Sequence, residues 1–495
     1  MSSPATSPAA PPVPDWVRTA ICWQVYPLGF CGAPRQREDL VGEGYGGAEG
    51  ENVVHRLPRL LGWLDHLVSL GANVLVLNPV FDAVSHGYDT LDHRRIDPRL
   101  GDEEDLEDLL AACRERGIRV VLDGVFNHVS AQHPVARRAI AAGPGTEEGA
   151  LIRWSGEHPY GFEGNADLVE LDLAHPVVQD RVVEVMGLWL DRGVDGWRLD
   201  ALYAAGPEAW APILARVRAA HPEAWLLGEV IHGDYPAIAD ASGAHSITQY
   251  ELWKAIWSSL RDGNLFELAH ALGRHEQFLR EAGGAHPLTF LGNHDTTRIA
   301  SQLPDGRDLA PAIALLALLP GVPCVYAGDE LGAVGVKEDR PGGDDAVRPA
   351  FPDDPASLLD GADGAYGSGE ASPHHLHLLK AGAAPRILEA HRRLLGLRRR
   401  EPWLATAHVT VVEASLGNTW VEIVLSPSAG ADVSADGDAP GTGTPAPLRL
   451  VLNLDDEPRP APGEILEAVD GAAVIDGVPS AGPGLVPAHG AAVLR

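Results

Sequence analysis

Basic charge is what this chain most lacks: 38 Lys and Arg stand against 69 Asp and Glu among 495 residues, a formal charge of −31. Such a surface repels phosphate backbones and anionic lipid, so neither nucleic acid nor a membrane is an expected partner. A neutral ligand such as a sugar is tolerated, and its chemistry can use carboxylates directly. Cysteine is scarce as well. Cys22, Cys31, Cys113 and Cys324 are scattered, without the spacing of a metal knuckle or a disulfide framework, and read as mostly buried free thiols. No run of eighteen apolar residues occurs. The start through Pro14 is rich in Pro, Ala and Ser but has no basic n-region or apolar h-region, so a secretory signal is missing and a cytoplasmic location is expected.

The length suits a large barrel with accessory domains, and 45% apolar residues can fill a sizeable core. From Ile21 onward, short apolar runs alternate with longer stretches of helical period, the pattern of βα units around a parallel sheet. Strands are predicted at Ile21 to Tyr26, Val74 to Asn78, Val120 to Val125, Gly196 to Asp200, Trp225 to Glu229, Ser246 to Tyr250, Leu288 to Gly292 and Val322 to Tyr326. Eight strands are what a (β/α)8 TIM barrel, an α/β fold, requires. One-sided helices are expected over 56–70, 103–116, 177–192 and 207–220.

Two connections exceed an ordinary βα loop. The one after the third strand predicts an inserted subdomain over 129–173 that overhangs the barrel mouth, and the one from Asp329 to Ala384 precedes a last barrel helix near 386–400. After Trp403, β-branched alternation at 408–414, 419–425 and 448–454 predicts a C-terminal β-sandwich. The expected organisation is a disordered tail over 1–14, a barrel over 15–128 and 174–403 with the 129–173 insert, and a sandwich over 404–495 interrupted by a disordered tip at 426–447.

Polar residues fall at strand ends: Asp123 and His128, Arg198 and Asp200, Glu229, His294 and Asp295. In a barrel these ends converge on one face. Any one such acid is as often a helix cap or an ion-pair partner. Several together cost solvation and repel one another, which a fold tolerates mainly where perturbed pKa values are useful. The histidines at 374, 375 and 377 follow Pro373 and read as solvated helix-start residues, not a metal site.

Asp123-Gly-Val-Phe-Asn-His128, Gly196-Trp-Arg-Leu-Asp-Ala201, Gly228-Glu-Val230 and Phe290-Leu-Gly-Asn-His-Asp295 resemble the four ordered motifs of the α-amylase family (glycoside hydrolase family 13). The resemblance covers roughly Trp23 to Trp403. It implies Asp200 as nucleophile, Glu229 as acid/base and Asp295 as a third carboxylate that grips and distorts the sugar ring. A retaining glycosidase needs such a pair, one carboxylate ionised and one carboxyl protonated, roughly 5 Å apart. Arg198 is two residues before Asp200, shares its face and can hold it ionised. His128 and His294 resemble the family's sugar-binding histidines, and His86-Gly-Tyr-Asp89 the segment whose tyrosine stacks under the same sugar, which makes Tyr88 and Asp89 substrate-binding candidates. Asp345 and Arg348 resemble the Asp and Arg of the last loop, with Asp344 able to take the aspartate's place.

Tyr88-Asp-Thr-Leu-Asp92, Ile96-Asp-Pro98 and Glu229-Val-Ile-His232 look most like cyclomaltodextrinases, neopullulanases and maltogenic amylases, adding His232 to the substrate-binding set. Those enzymes carry an N-terminal β domain, whereas this chain reaches its first barrel strand by about Ile21, and the oligomeric state is left open. The implied substrate is a short or cyclic malto-oligosaccharide cleaved at α-1,4 bonds. Asp345-Ala-Val-Arg348 has the spacing of exo-acting α-glucosidases and trehalose synthases, so an exo-acting or transferring enzyme is the main alternative; a silent carbohydrate-binding scaffold should have lost a catalytic acid. No cofactor is expected. Ala204-Ala205 stands where calcium-binding members carry a Lys-His pair, which argues against calcium, and Asn127 is read as a loop brace.

Overall fold

The computed structural model describes residues 12–37, 53–340, 342–359, 376–428 and 445–495. The predicted strands form one parallel sheet: β1 (Cys22–Val25), β2 (Val74–Leu77), β3 (Arg119–Gly124), β4 (Gly196–Leu199), β5 (Trp225–Gly228), β6 (Ser246–Ile247), β7 (Leu288–Phe290) and β8 (Val322–Tyr326). Spatial order follows chain order around the ring, with β8 lying between β1 and β7. A parallel bridge from Thr248 to Leu288 joins β6 to β7 and closes the (β/α)8 barrel. The strand alternation sends Cys22, Val74, Val76, Val121, Trp225, Leu227, Leu288, Phe290, Val322 and Cys324 into one interior cluster.

Helices around the barrel include Glu103–Glu115, Pro176–Asp191, Pro207–Ala220 and, after β8, Ala384–Arg400, each burying a stripe of Leu, Val, Ile or Trp. The first of these starts at a reciprocal cap: Asp102 accepts from the backbone of Asp105, whose side chain accepts from the backbone of Asp102. Among the described residues no helix is long and apolar enough to cross a membrane.

The insert after β3 is built on a short antiparallel pair, His128–Ser130 with Leu168–Glu170, enclosing the helix Pro134–Ala142. At the other end of the chain, β9 (His408–Val411), β10 (Trp420–Ser426), β11 (Leu448–Asn453), β12 (Ile465–Asp470) and β13 (Gly490–Leu494) form an antiparallel sheet in the order β9-β10-β11-β13-β12. One face, with Val421, Ile423, Leu450, Leu452 and Val493, joins the main core. The other buries Val451, Ala492 and Leu494 against Val486 of a two-stranded ribbon.

Three details differ from the sequence-based expectation. Val13 and Pro14 are buried rather than part of a tail, because Val13 plugs the floor of the barrel interior with Val17. The sixth strand ends at Ile247, and Tyr250 opens the helix Tyr250–Asp262. His377 is not at a helix start; it lies in a short strand paired with Val334. Residues 1–11 of the expected tail, 429–444 of the expected disordered tip, and His374 and His375 lie outside the described residues.

A charged latch joins the C-terminal sheet to the barrel. His489 Nδ1 lies 2.8 Å from Asp308, which leads into the helix Leu309–Leu318, and both side chains are buried. The hydrogen bond to Asp308 raises the His489 pKa above its ordinary value against the pull of burial. A histidine whose pKa is raised on folding stabilises the fold fully below its unfolded value, about 6.5, and loses that contribution as pH rises through the folded value. The expected result is that His489→Gln costs about 1–2 kcal/mol at pH 6, the worth of a charge-assisted hydrogen bond. Thermal unfolding of the two proteins should converge toward pH 9.

Candidate active site

Strand register decides which side chains meet at the barrel mouth. Arg198 is the register partner of Asp123 across β3 and β4, so the two enter the interior on one level. Arg198 Nη1 donates to both Asp123 oxygens at 2.7 Å and reaches Asp200 Oδ1 at 3.4 Å, while Nη2 lies 2.6 Å from Glu229 Oε1. One guanidinium therefore faces three buried carboxylates. Burial, then the charge of Glu229, pushes the Asp200 carboxyl well above its ordinary value, while Arg198 acts in the opposite direction. The shift has the direction expected of a buried carboxyl whose close carboxylate neighbour is only partly compensated by a shared cation.

Asp295 is treated differently. Burial acts upward on it too, but His294, Arg348 and Arg198 outweigh that cost and hold its carboxyl well below the usual range. Its Oδ2 lies 2.9 Å from His294 Nε2, and its Oδ1 accepts from Arg348 Nη2 at 2.6 Å. His294 lies nearly parallel to two aromatic rings, with centroids 6.1 Å from Tyr26 and 5.4 Å from Tyr88. Tyr88 donates its hydroxyl to Asp123 at 3.0 Å and also touches His294 Nε2. Asn78, at the end of β2, donates to Asp123 at 2.9 Å.

The residue after Asp200 is strained for a purpose the geometry makes visible. Ala201 sits at φ 48°, ψ 39°, a left-handed conformation that costs a non-glycine residue about 1–3 kcal/mol. In return its N–H points at Glu229 Oε2, 3.0 Å away. On the opposite wall, His128 stacks at 4.3 Å on Phe162 of the insert. Burial, above all, lowers the His128 pKa to about 4, so the imidazole is neutral; its Nε2 makes no well-formed hydrogen bond, the Tyr88 backbone lying near without completing one. A buried, unsatisfied ring nitrogen at a cavity wall is suited to a ligand hydroxyl.

These residues line a cavity of about 280 Å³ at the C-terminal ends of the strands, which includes Tyr88, His128, Asp200, Glu229 and Asp295. Larger hollows exist elsewhere, but they lack this convergence of acids. Arg198 and His294 stand directly behind the wall, and Arg348 grips Asp295 from the last loop. Three expected residues are placed otherwise. Asp89 is spent on a turn, accepting from Ser85 N at 3.0 Å and Ser85 Oγ at 2.6 Å. Asp345 pairs with Arg35 at 3.0 Å, and it is Asp344 that faces Arg348, at 3.1 Å, because a short helical turn rotates successive side chains apart. His232 is exposed at the rim, its ring 5.5 Å from Tyr203.

Other contributors are not among the sequence-based candidates. Tyr250 and Tyr203 also line the cavity, as do Phe162, Glu163 and Lys337 from the two long connections. Asn78 could have been found from the strand alternation that puts it on the face of Val74 and Val76; Phe162 and Lys337 carry no such signal. Among the described residues one His-Asp-Asp group, His55 with Asp102 and Asp105, has ligand-like spacing. Its two acids form the helix cap already described, with His55 Nδ1 2.6 Å from Asp105. Asn127 braces the insert through its carbonyl, which accepts from Leu171 N at 3.0 Å.

The family model for the α-amylase catalytic domain matches residues 59–150 and 153–354. An intracellular maltogenic amylase of Bacillus subtilis is 28% identical over 351 residues, covering 65% of this chain and 57% of that protein. A cyclomaltodextrinase of a Bacillus species is 29% identical over 344 residues, 65% of this chain and 61% of that one. The chain thus spans about three-fifths of the length of these curated relatives. Among solved structures, the ligand-free cyclic α-maltosyl-(1→6)-maltose hydrolase of Arthrobacter globiformis superposes with a TM-score of 0.71 at 24% identity, over 97% of this chain and 99% of that one.

Proposed function

Because the chain belongs to the α-amylase family, we propose that it hydrolyses α-1,4-glucosidic bonds of short or cyclic malto-oligosaccharides with retention of anomeric configuration. The observation that carries this reading is the Arg198 guanidinium touching both Asp200 and Glu229 at the floor of one cavity. Those contacts keep the two carboxyls within reach of one guanidinium, which is compatible with the spacing of roughly 5–5.5 Å used by retaining enzymes.

In the proposed mechanism Asp200 attacks the anomeric carbon while Glu229 gives its proton to the departing oxygen. Glu229, now ionised, then takes a proton from water as it attacks the glycosyl–Asp200 ester, which restores both groups. Asp295, held ionised by His294 and Arg348, accepts hydrogen bonds from sugar hydroxyls, and neutral His128 serves a neighbouring one.

The curated relatives bear the names maltogenic amylase and cyclomaltodextrinase, which supports small or cyclic α-glucans as substrates. A cavity of 280 Å³ lies just below the range of typical ligand pockets, about 300–1,000 Å³, and suits a short oligosaccharide. A second reading, exo-action or glucosyl transfer, is favoured by one contact. Tyr203 Oη donates to Glu163 Oε1 at 3.0 Å, tying the insert to the loop after β4 across one side of the mouth. Incubation with maltotriose, cyclomaltodextrins, panose and trehalose, with NMR of the first product anomers, tests both. Alpha-anomeric glucose or maltose is expected; β-anomers overturn the mechanism, and transfer products with little free glucose favour the second reading.

A further inference from the structure

We propose that Tyr250 is a positioning residue for the acid/base: a hydrogen-bond chain from the Asp295 loop through Asn293 and Tyr250 aims a hydroxyl proton at Glu229 and holds its carboxyl in the orientation for proton transfer. The proposal rests on the reading of Glu229 given above.

The chain is continuous. Asn293 Oδ1 accepts from Asp295 N at 2.9 Å, and Asn293 Nδ2 donates to Tyr250 Oη at 2.8 Å. With Asn293 supplying a hydrogen to the tyrosine oxygen, the tyrosine's own hydrogen is left for Glu229 Oε1, 3.2 Å away. Asn293 is itself fixed, its N–H donating to Thr296 Oγ1 at 3.1 Å. The tyrosine ring is fixed as well, standing edge-on to Phe290 at 4.9 Å and to Trp253 at 5.7 Å. Burial, followed by the charges of Glu229 and Asp295, raises the Tyr250 pKa well above its ordinary value, so the hydroxyl remains a donor throughout any working range.

Glu229 is thereby held at three points. Arg198 and Tyr250 both reach Oε1, and the Ala201 N–H reaches Oε2. Arg198 is shared with Asp123 and Asp200, and the Ala201 amide moves with the nucleophile strand. Tyr250 is the contact that comes from the β6 side, and through Asn293 it ties Glu229 to the loop carrying Asp295. The orientation of the acid is thus set by the same loop that grips the sugar, so the leaving oxygen and its proton donor share one reference frame. Cooperative chains of this kind favour one carboxyl rotamer over its alternatives.

Tyr250→Phe removes only the hydroxyl and keeps the ring against Phe290 and Trp253, so the fold is retained. Asn293→Ala is the second variant, freeing the hydroxyl to turn away. The groups facing Glu229 are Arg198, Asp200 and the Ala201 amide from β4 and its loop, with Tyr203 beyond them, while Asp123 from β3 and Asp295 from the β7 loop act on the adjoining Asp200. All are unchanged in Tyr250→Phe. Loss of a donor to the ionised carboxylate favours its protonated form, so the basic limb of kcat/KM should move to higher pH.

On maltotriose, whose leaving oxygen needs a proton, kcat/KM should fall about 10- to 100-fold, the scale of one lost hydrogen bond to a charged group. The first-turnover release of fluoride from α-glucosyl fluoride, a leaving group that needs far less help, should fall by a much smaller factor. Asn293→Ala should show the same pattern more weakly. Equal losses on the two substrates with an unmoved basic limb overturn the proposal and leave Tyr250 a packing residue. Wild-type hydrolysis of maltotriose by Glu229→Gln would instead overturn the assignment of the acid/base itself, a distinct result.

Discussion

Asp200→Asn should abolish turnover of maltotriose, with kcat lowered by roughly 10⁴-fold or more, the scale seen when a central catalytic group is removed. The amide is nearly isosteric and keeps a hydrogen-bond acceptor toward Arg198 Nη1, so the network around Asp123 need not rearrange. What it lacks is an oxygen able to form the glycosyl ester. The change also removes the neighbour with which Glu229 shares charge, so loss of activity should come with unchanged or tighter maltotriose binding. Calorimetry of the variant with maltotriose checks this. Near-wild-type turnover would sink the assignment of Asp200.

Glu229→Gln has the second largest expected effect, and its signature is dependence on the leaving group. With maltotriose, loss of general acid catalysis should cost about 10²–10⁴-fold in kcat/KM. With α-glucosyl fluoride, the first turnover should stay fast and then stall. The substituted amide cannot take the proton from water, and the ester on Asp200 accumulates. The amide has a single oxygen, so when that accepts from Ala201 N–H its NH2 group opposes the Arg198 donor that Oε1 had accepted from, which should loosen the guanidinium. A burst of fluoride detected by rapid quench, and trapping of the ester by mass spectrometry, are the measurements. A variant slowed equally on both substrates with no burst would contradict the acid/base role.

Most of the barrel is legible in the sequence because its signal is local. An interior parallel strand must be apolar on both faces, so runs such as Val74-Leu-Val-Leu77 announce themselves. The sixth strand reads through to Tyr250 because Ile247, Thr248 and Tyr250 are β-branched or aromatic residues that strands favour; in the fold, Gln249 and Tyr250 instead begin a helix, while Thr248 bridges to Leu288. The same strand-like composition conceals Tyr250 as a contact of Glu229. Motif spacing favours Asp345 over Asp344, but a 3-10 turn separates adjacent side chains by about 120°, and only one of them can face Arg348. Asp89 matches its motif and yet caps a turn, since a short carboxylate beside Ser85 N–H is satisfied locally before it can reach a ligand.

The sequence by itself determined the strand count, the barrel and the strand-end positions of Asp200, Glu229 and Asp295, because strand alternation and a position at a strand end are one-dimensional facts that a closed sheet converts into a shared face. Only the tertiary structure decided how those acids are charged and aimed. One guanidinium is divided among Asp123, Asp200 and Glu229, Asp295 is surrounded by His294 and Arg348, and Tyr250 reaches Glu229 from the far side of the mouth. Ionisation and orientation depend on burial and on distances between residues remote in the chain, and no pattern along the chain carries those.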